Sequence, residues 1–304
     1  MRSDLLNKNS NAYIDALTPE TLLEWNYVTC GAPMAANVGL GDGAGAVAAG
    51  QVWGLQFPGP RGETYNTYMT CVAAFTTTGM IPQVEGSIPI VDASATAVGL
   101  NLQLDAETTD NCGMELSIGA SSTVENDANK YIVGTHSGSI DVTFHTQDWT
   151  DYDCVSIGFR KVQAHQSAHS GVLAAASGDP LYTDFCAFGI QSADDVQSAT
   201  DLNDGGSGTV VYTDSTQAPA DNHNHRLRVD LASDGSVTYS HVSSAIAGAG
   251  ALAAPTVTAA FTFDSGDIVV PYLTTLKNGN ADVELLLKDI KVVRSPYVVG
   301  HSLV

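Results

Sequence analysis

The chain has 304 residues, enough to bury one large core or two smaller ones, and its 33 acidic against 12 basic side chains give a formal net charge of -21. That balance excludes nucleic acid and anionic membrane surfaces, which call for clustered Lys and Arg, and no run approaches the roughly 18 apolar residues of a spanning helix. Charged residues are only 15% of the chain, against about 25% in ordinary soluble domains, so wide neutral areas suited to contact with neighbouring subunits are expected.

Met1 to Asn9 carries no apolar h-region and no small-residue cleavage site, which predicts synthesis in a cytoplasm without a secretory signal. Thr18, Pro19 and Glu20 form a helix start, with Thr18 as N-cap and Pro19 at the first helical position, so a short helix ending near Trp25 is predicted. Gly39 to Gly50 and Phe57 to Gly62 are then so dense in Gly and Pro that an extended or looped arm is expected. Residues 1–80 are accordingly read as an N-terminal attachment region and 81–304 as the main domain. Trp25, Trp53, Phe57 and Tyr65 are the candidate aromatic anchors, laid onto a neighbour or onto the main domain.

From Leu100 onward the apolar period is two. Leu100, Leu102 and Leu104 alternate with polar neighbours, as do Met114, Leu116 and Ile118, then Ile140, Val142 and Phe144, then Val155, Ile157 and Phe159. Leu227, Val229 and Leu231 repeat the pattern against Arg226, Arg228 and Asp230, and Val283, Leu285 and Leu287 close the series. One buried and one solvated face per strand predicts an all-β antiparallel sandwich. Ser233-Asp234-Gly235-Ser236 between two alternating runs predicts a hairpin, and Asp110 to Gly113 marks another turn. Pro271 predicts an edge or a bulge at the end of Ile268-Val269-Val270. The inward face changes parity at Lys288-Asp289, which predicts a β-bulge. Residues 171–180, 192–208 and 244–255 read as long surface loops, where binding on a sandwich usually resides.

The motifs that could carry chemistry are weak. Five cysteines, Cys30, Cys71, Cys112, Cys154 and Cys186, are widely spaced and lack a C-x-x-C pair, so they read as buried thiols, with Cys112 and Cys154 able to approach across strands. His165 with His169, and His223 with His225, have ligand-like spacings, but no third ligand is fixed and solvated loop histidines are the simpler account. Asp201, Asn203 and Asp204 form a possible ligand or ion loop, for which an ordinary Asx turn is the plainer reading. Glu115 has no acidic partner two or four residues away, and Asp282 with Glu284 fits a solvated strand face, so a glycosidase pair is unsupported. No Gly-x-Ser-x-Gly elbow and no strand-preceded dinucleotide loop occurs. Neither a cofactor, a metal nor an enzymatic activity is expected.

The strand Ile157-Gly158-Phe159-Arg160-Lys161, the segment Tyr182 to Phe185, the Leu227 to Tyr239 hairpin, the Val-Pro-Tyr run and the closing apolar strand together resemble concanavalin-like jelly rolls. The resemblance, over roughly Leu100 to Pro296, is to those found among virion structural proteins of tailed phages of marine bacteria. It implies a capsid decoration (cement) protein on the virion surface, bound to the major capsid protein and to its own copies as a dimer or trimer. The alternative it implies is a glycan-binding, lectin-like module of a phage fibre or adhesin, using the loops near His165 to His169 and Asp201 to Gly208.

Overall fold

A computed structural model describes residues 19–31, 34–35, 52–71, 99–101, 113–118, 130–163, 173, 182–191, 195–202, 210–245, 251–255, 260–277 and 285–296. Sixteen strands run through them: β1 (Glu20–Asn26), β2 (Met34–Ala35), β3 (Val52–Pro58), β4 (Thr64–Cys71), β5 (Leu100–Asn101), β6 (Gly113–Ser117), β7 (Tyr131–Ile132) and β8 (His136–Thr146), then β9 (Tyr152–Lys161), β10 (Phe185–Ile190), β11 (Val196–Asp201), β12 (Val211–Gln217), β13 (His223–Leu231), β14 (Val237–Ser244), β15 (Ile268–Lys277) and β16 (Leu285–Pro296). The smaller sheet has the order β1-β16-β8-β13-β14, with β5 also on β16. The larger has β12-β11-β10-β9-β15-β6-β4-β3-β2, with β7 also on β15. The chain is an all-β antiparallel sandwich of jelly-roll type, as the period of two predicts.

The interior is filled by the inward faces of both sheets: Ile140, Val142 and Phe144 of β8, Val155, Ile157 and Phe159 of β9, and Leu227, Val229 and Leu231 of β13 share one apolar cluster. Burying residues i, i+2 and i+4 of each strand is what a two-layer sheet packing requires. A second, smaller cluster lies on the outward face of the larger sheet, where Cys154, Phe185, Ala187, Ala199, Tyr272 and Leu276 are covered by Leu173 and Tyr182. The thiols of Cys154 and Cys186 are buried on these opposite faces, and burial pushes Cys186 up to about 12.

The N-terminal region departs from expectation. Glu20 to Trp25 is a strand rather than a helix, pairing with β16 from Glu20↔Arg294 to Asn26↔Asp289. Leu23 and Trp25 alternate inward and the ladder to β16 supplies the backbone bonds, so tertiary pairing overrides the local helix signal. Helix is confined to one turn, α1 (Tyr27–Cys30), whose cap is Asn26, the side chain accepting from Val28 N at 3.1 Å and Thr29 N at 3.2 Å. Of the strands before residue 80, β1 sits in the smaller sheet and β2, β3 and β4 in the larger. Thr18 and Gly39 to Gly50 lie outside the described residues.

Two other expectations can be resolved. The register between β16 and β8 jumps from Leu287↔Phe144 to Asp289↔Thr143, placing the bulge at Lys288 as the parity change requires. Pro271 occupies neither an edge nor a bulge: it stands inside β15, opposite Phe159 of β9. Its carbonyl accepts from Ile118 N at 3.0 Å just past the end of β6, and β7 joins β15 only at Ile268 and Val269. A residue's N–H and C=O share one side of a strand, so the missing donor falls in the gap between β6 and β7. The Asp234-Gly235 hairpin forms as expected, with Gly235 at φ 90° and Ala232 N donating to Ser236 O at 2.8 Å.

Candidate functional site

Two of the four candidate anchors are core residues. Trp25 and Phe57 are 1% and 0% exposed, and their rings meet edge to face at 5.1 Å, joining β1 of one sheet to β3 of the other through the interior. Tyr65 is half-buried against the same cluster, and Trp53 lies in β3 opposite Met69. Among the ion-loop residues, Asp201 is a buried member of β11 whose carboxylate accepts from Leu202 N at 2.9 Å, whereas Asn203 and Asp204 lie outside the described residues. His165 and His169 lie outside them too. His223 and His225 are not loop residues: they open β13, and His225 is fully buried. No group of three or more His, Cys, Asp or Glu is placed to hold a metal among the described residues.

Glu115 is held in a closed network on the outward face of the larger sheet. Arg160 Nε donates to its Oε1 at 2.7 Å, Ser117 Oγ donates to the same oxygen at 3.0 Å, and the Tyr182 hydroxyl donates to Oε2. Arg160 reaches across β15 from β9 to β6, its guanidinium 4.5 Å from the centre of the Tyr182 ring. Burial opposes the charge on Arg160, and the adjoining Glu115 carboxylate more than offsets this, so its pKa is raised. Both side chains are 1% exposed. The network pairs this buried carboxylate and pins the Tyr182 end of the connection between β9 and β10 to the sheet.

A partly exposed aromatic lies elsewhere, at the end of the sandwich where β8 turns into β9 and β12 crosses to β13. The first turn is capped by Asp148, whose Oδ1 accepts from Thr150 N at 2.9 Å and Thr150 Oγ1 at 2.6 Å. This sets the half-buried indole of Trp149 on a one-turn 3-10 segment. Residues 218–222, between the sheets, are tied to it: Asn222 N donates to Gln147 O at 3.0 Å, and Trp149 N donates to Asp221 Oδ1 at 3.3 Å. Among the described residues, the two non-glycine residues with left-handed backbone, Thr216 at φ 60° and Asn222 at φ 54°, bracket this strap. For β-branched Thr216 that conformation is an outlier, of the kind that concentrates at functional sites. Exposed Asp221, Asn222 and Thr150 thus lie beside the half-buried Trp149.

Beneath the strap the interior is polar. His225 of β13 and His241 of β14 stack at 5.8 Å with 9° between their planes, and Phe144 packs against His225 at 5.6 Å. Among the described residues, neither ring nitrogen of His225 completes a hydrogen bond, nor do His241 Nε2, Thr146 Oγ1 and Ser215 Oγ. Burial first, then the neighbouring His241, drives His225 down to about 3, the Ala220 backbone offsetting part of this, and burial alone takes His241 down to about 4.

Sequence reasoning missed Trp149. Its one signal was local: Gln147-Asp148-Trp149-Thr150-Asp151 interrupts the alternation between Phe144 and Val155 with polar turn formers around a single large aromatic.

No protein-family model matches the chain, and no curated protein matches it significantly. Among solved structures, it is similar to peanut lectin bound to a nine-residue peptide, with 10% identity over 70% of this chain and 97% of that one and a TM-score of 0.44. Arcelin-5, a lectin-like defence protein from Phaseolus vulgaris, shares 7% identity over 93% of this chain and 100% of its own, with a TM-score of 0.41. A protein of unknown function from Shewanella oneidensis shares 8% identity over 97% of both chains at a TM-score of 0.38. At these scores the likenesses bear on nothing beyond what the sheets already show.

Proposed function

We propose that the chain is a non-catalytic recognition module, of the kind carried on a fibre or adhesin, that binds a neutral glycan at the Trp149 end of the sandwich. The observation that carries this reading is the half-buried indole held between two hydrogen-bonded turns and flanked by Asp221, Asn222 and Thr150. An aromatic face accommodates the C–H surface of a sugar ring, while carboxylate, amide and hydroxyl groups at its border match paired sugar hydroxyls. The same acids, on a chain of net charge -21, disfavour anionic ligands. The closed Glu115 network favours binding over hydrolysis. Attachment to a capsid by aromatic lacing is the weaker reading, because Trp25 and Phe57 are core residues.

A glycan array at neutral pH tests the proposal. Wild-type chain is expected to bind a restricted set of neutral glycans, and Trp149→Ala to bind them at least about tenfold more weakly while still unfolding cooperatively in urea. Absence of any signal above background on the array rejects it.

A further inference from the structure

We propose that the stacked His225 and His241 form an acid-operated latch under the 217–223 strap, so that acidification opens this end and releases whatever Trp149 holds. The inference rests on the glycan-binding reading of the Trp149 end for its biological consequence, although the latch itself is a property of the fold.

Register places the two imidazoles as diagonal neighbours on the inward faces of adjacent strands, since Leu227 pairs with His241 and His225 with Ser243. They are 0% and 5% exposed, neither nitrogen of His225 nor Nε2 of His241 completes a hydrogen bond among the described residues, and only the Ala220 backbone favours a charge on His225, so a charge on either ring would be desolvated with little to compensate it. The surrounding groups make this worse. His223 on the same strand and His145 of β8 oppose a charge on His225, as does His241. Phe144 of β8 closes one side, and Lys288 of β16, which acts on His145, is itself a cation. Across the interior, Phe188 of β10 lies 5.1 Å from Tyr239, two residues before His241, and the nearby titratable group there is the Cys186 thiol, which is held neutral. Among the described residues no carboxylate is a leading influence on either ring, and Asp221 of the strap is exposed to solvent. Protonation therefore has one outlet, which is to move the rings into water.

The strap is the element able to yield. The Ala220 backbone lies beside His225, and the left-handed Thr216 and Asn222 at its ends give it two hinges already in strained conformations. If both rings are neutral when closed and behave as ordinary imidazoles when open, the ratio of open to closed rises about tenfold per ring, or about a hundredfold for the pair, between about pH 7.5 and pH 5.5.

Hydrogen exchange on the intact, ligand-free chain tests the latch independently of any glycan. After correction for intrinsic exchange, amides of residues 217–225 and 239–244 are expected to exchange about a hundredfold faster at about pH 5.5 than at 7.5, and at both pH values to open more readily than β9 and β15, whose exchange follows global unfolding. His241→Gln should reduce the increase to about tenfold, and the pair His225→Gln with His241→Gln should abolish it. Unchanged wild-type protection over this range, or strap amides that at both pH values exchange only at the slow, global rate of β9 and β15, overturns the proposal. Should the double variant fail to fold, the wild-type ring resonances decide: rings that stay neutral until the strap opens uphold the latch, and rings that titrate near 6.5 with protection intact overturn it. Silence of the glycan array at neutral pH with acid opening retained rejects the binding reading alone, whereas glycan binding that persists undiminished at about pH 5.5 rejects the latch.

Discussion

The fate of Glu115 is decided by a residue 45 positions away in sequence, Arg160, and by the Tyr182 hydroxyl. A buried ion pair of this kind adds little over an apolar replacement, but removing one partner strands the other charge at a cost of roughly 3–5 kcal/mol. Glu115→Gln is therefore expected to lower the unfolding free energy by about that amount in urea titrations, without altering glycan affinity of the folded fraction. A loss below about 1 kcal/mol would mean that Arg160 finds another partner. The residue scale also shows why the site was only partly legible. Glu115 and His225 stand out in the sequence as chemically capable groups, yet whether a carboxylate is poised or locked, and whether an imidazole is wet or buried, depends on strands far apart in the chain. Trp149 was overlooked because one aromatic within a polar turn carries no period.

At the scale of elements, the alternation identified β8, β9 and β13 because each buries one face against the other sheet. It failed for β1, where Thr18-Pro19-Glu20 is a sound local helix start and only the ladder to β16 shows that the backbone bonds are made elsewhere. Pro271 misled for a related reason: a central strand tolerates it where a neighbouring strand ends. The bulge in β16 was legible because parity is a strict constraint, and it yields a sharp test. Deleting Lys288 removes the extra residue and leaves Ile290 and Val292 inward, so the variant should still unfold cooperatively. Deleting Lys291 turns Val292 outward between β1 and β8 and should abolish the cooperative transition. In the β13–β14 hairpin, Gly235→Ala meets both a left-handed backbone and the Phe263 carbonyl. A loss of about 1–3 kcal/mol is expected in the same urea assay, and a neutral result would show that the turn can change type.

For the whole molecule, two electrostatic effects pull stability in opposite directions as pH falls. Protonating carboxylates relieves the self-repulsion of a chain at -21, but their ordinary values lie near 4, so little of this relief arrives above pH 5. The buried histidines act earlier. His225 and His241 are lowered by burial to about 3 and about 4, and burial also lowers His145 and His136. In the unfolded chain each would take up a proton near 6.5, so the unfolded state binds more protons throughout the window from about 6.5 down to about 4, and stability falls as pH falls. For His225 and His241 the loss amounts to about 3 kcal/mol between about pH 7.5 and 5.5, a large share of a typical 5–15 kcal/mol. Asp289 works against this, since burial raises its pKa and lets the folded state take up a proton first, but its contribution begins only as pH approaches the carboxylate range. Salt separates the two effects: raising NaCl from about 0.05 to 0.5 M screens exposed acids and should lift stability at neutral pH, yet it cannot reach rings that are 0% and 5% exposed. Urea midpoints measured from about pH 7.5 to 5.5 at both salt concentrations should therefore decline along parallel lines, the high-salt line above the low. A decline that vanishes in salt would assign acid sensitivity to the surface and remove the buried histidines from the account.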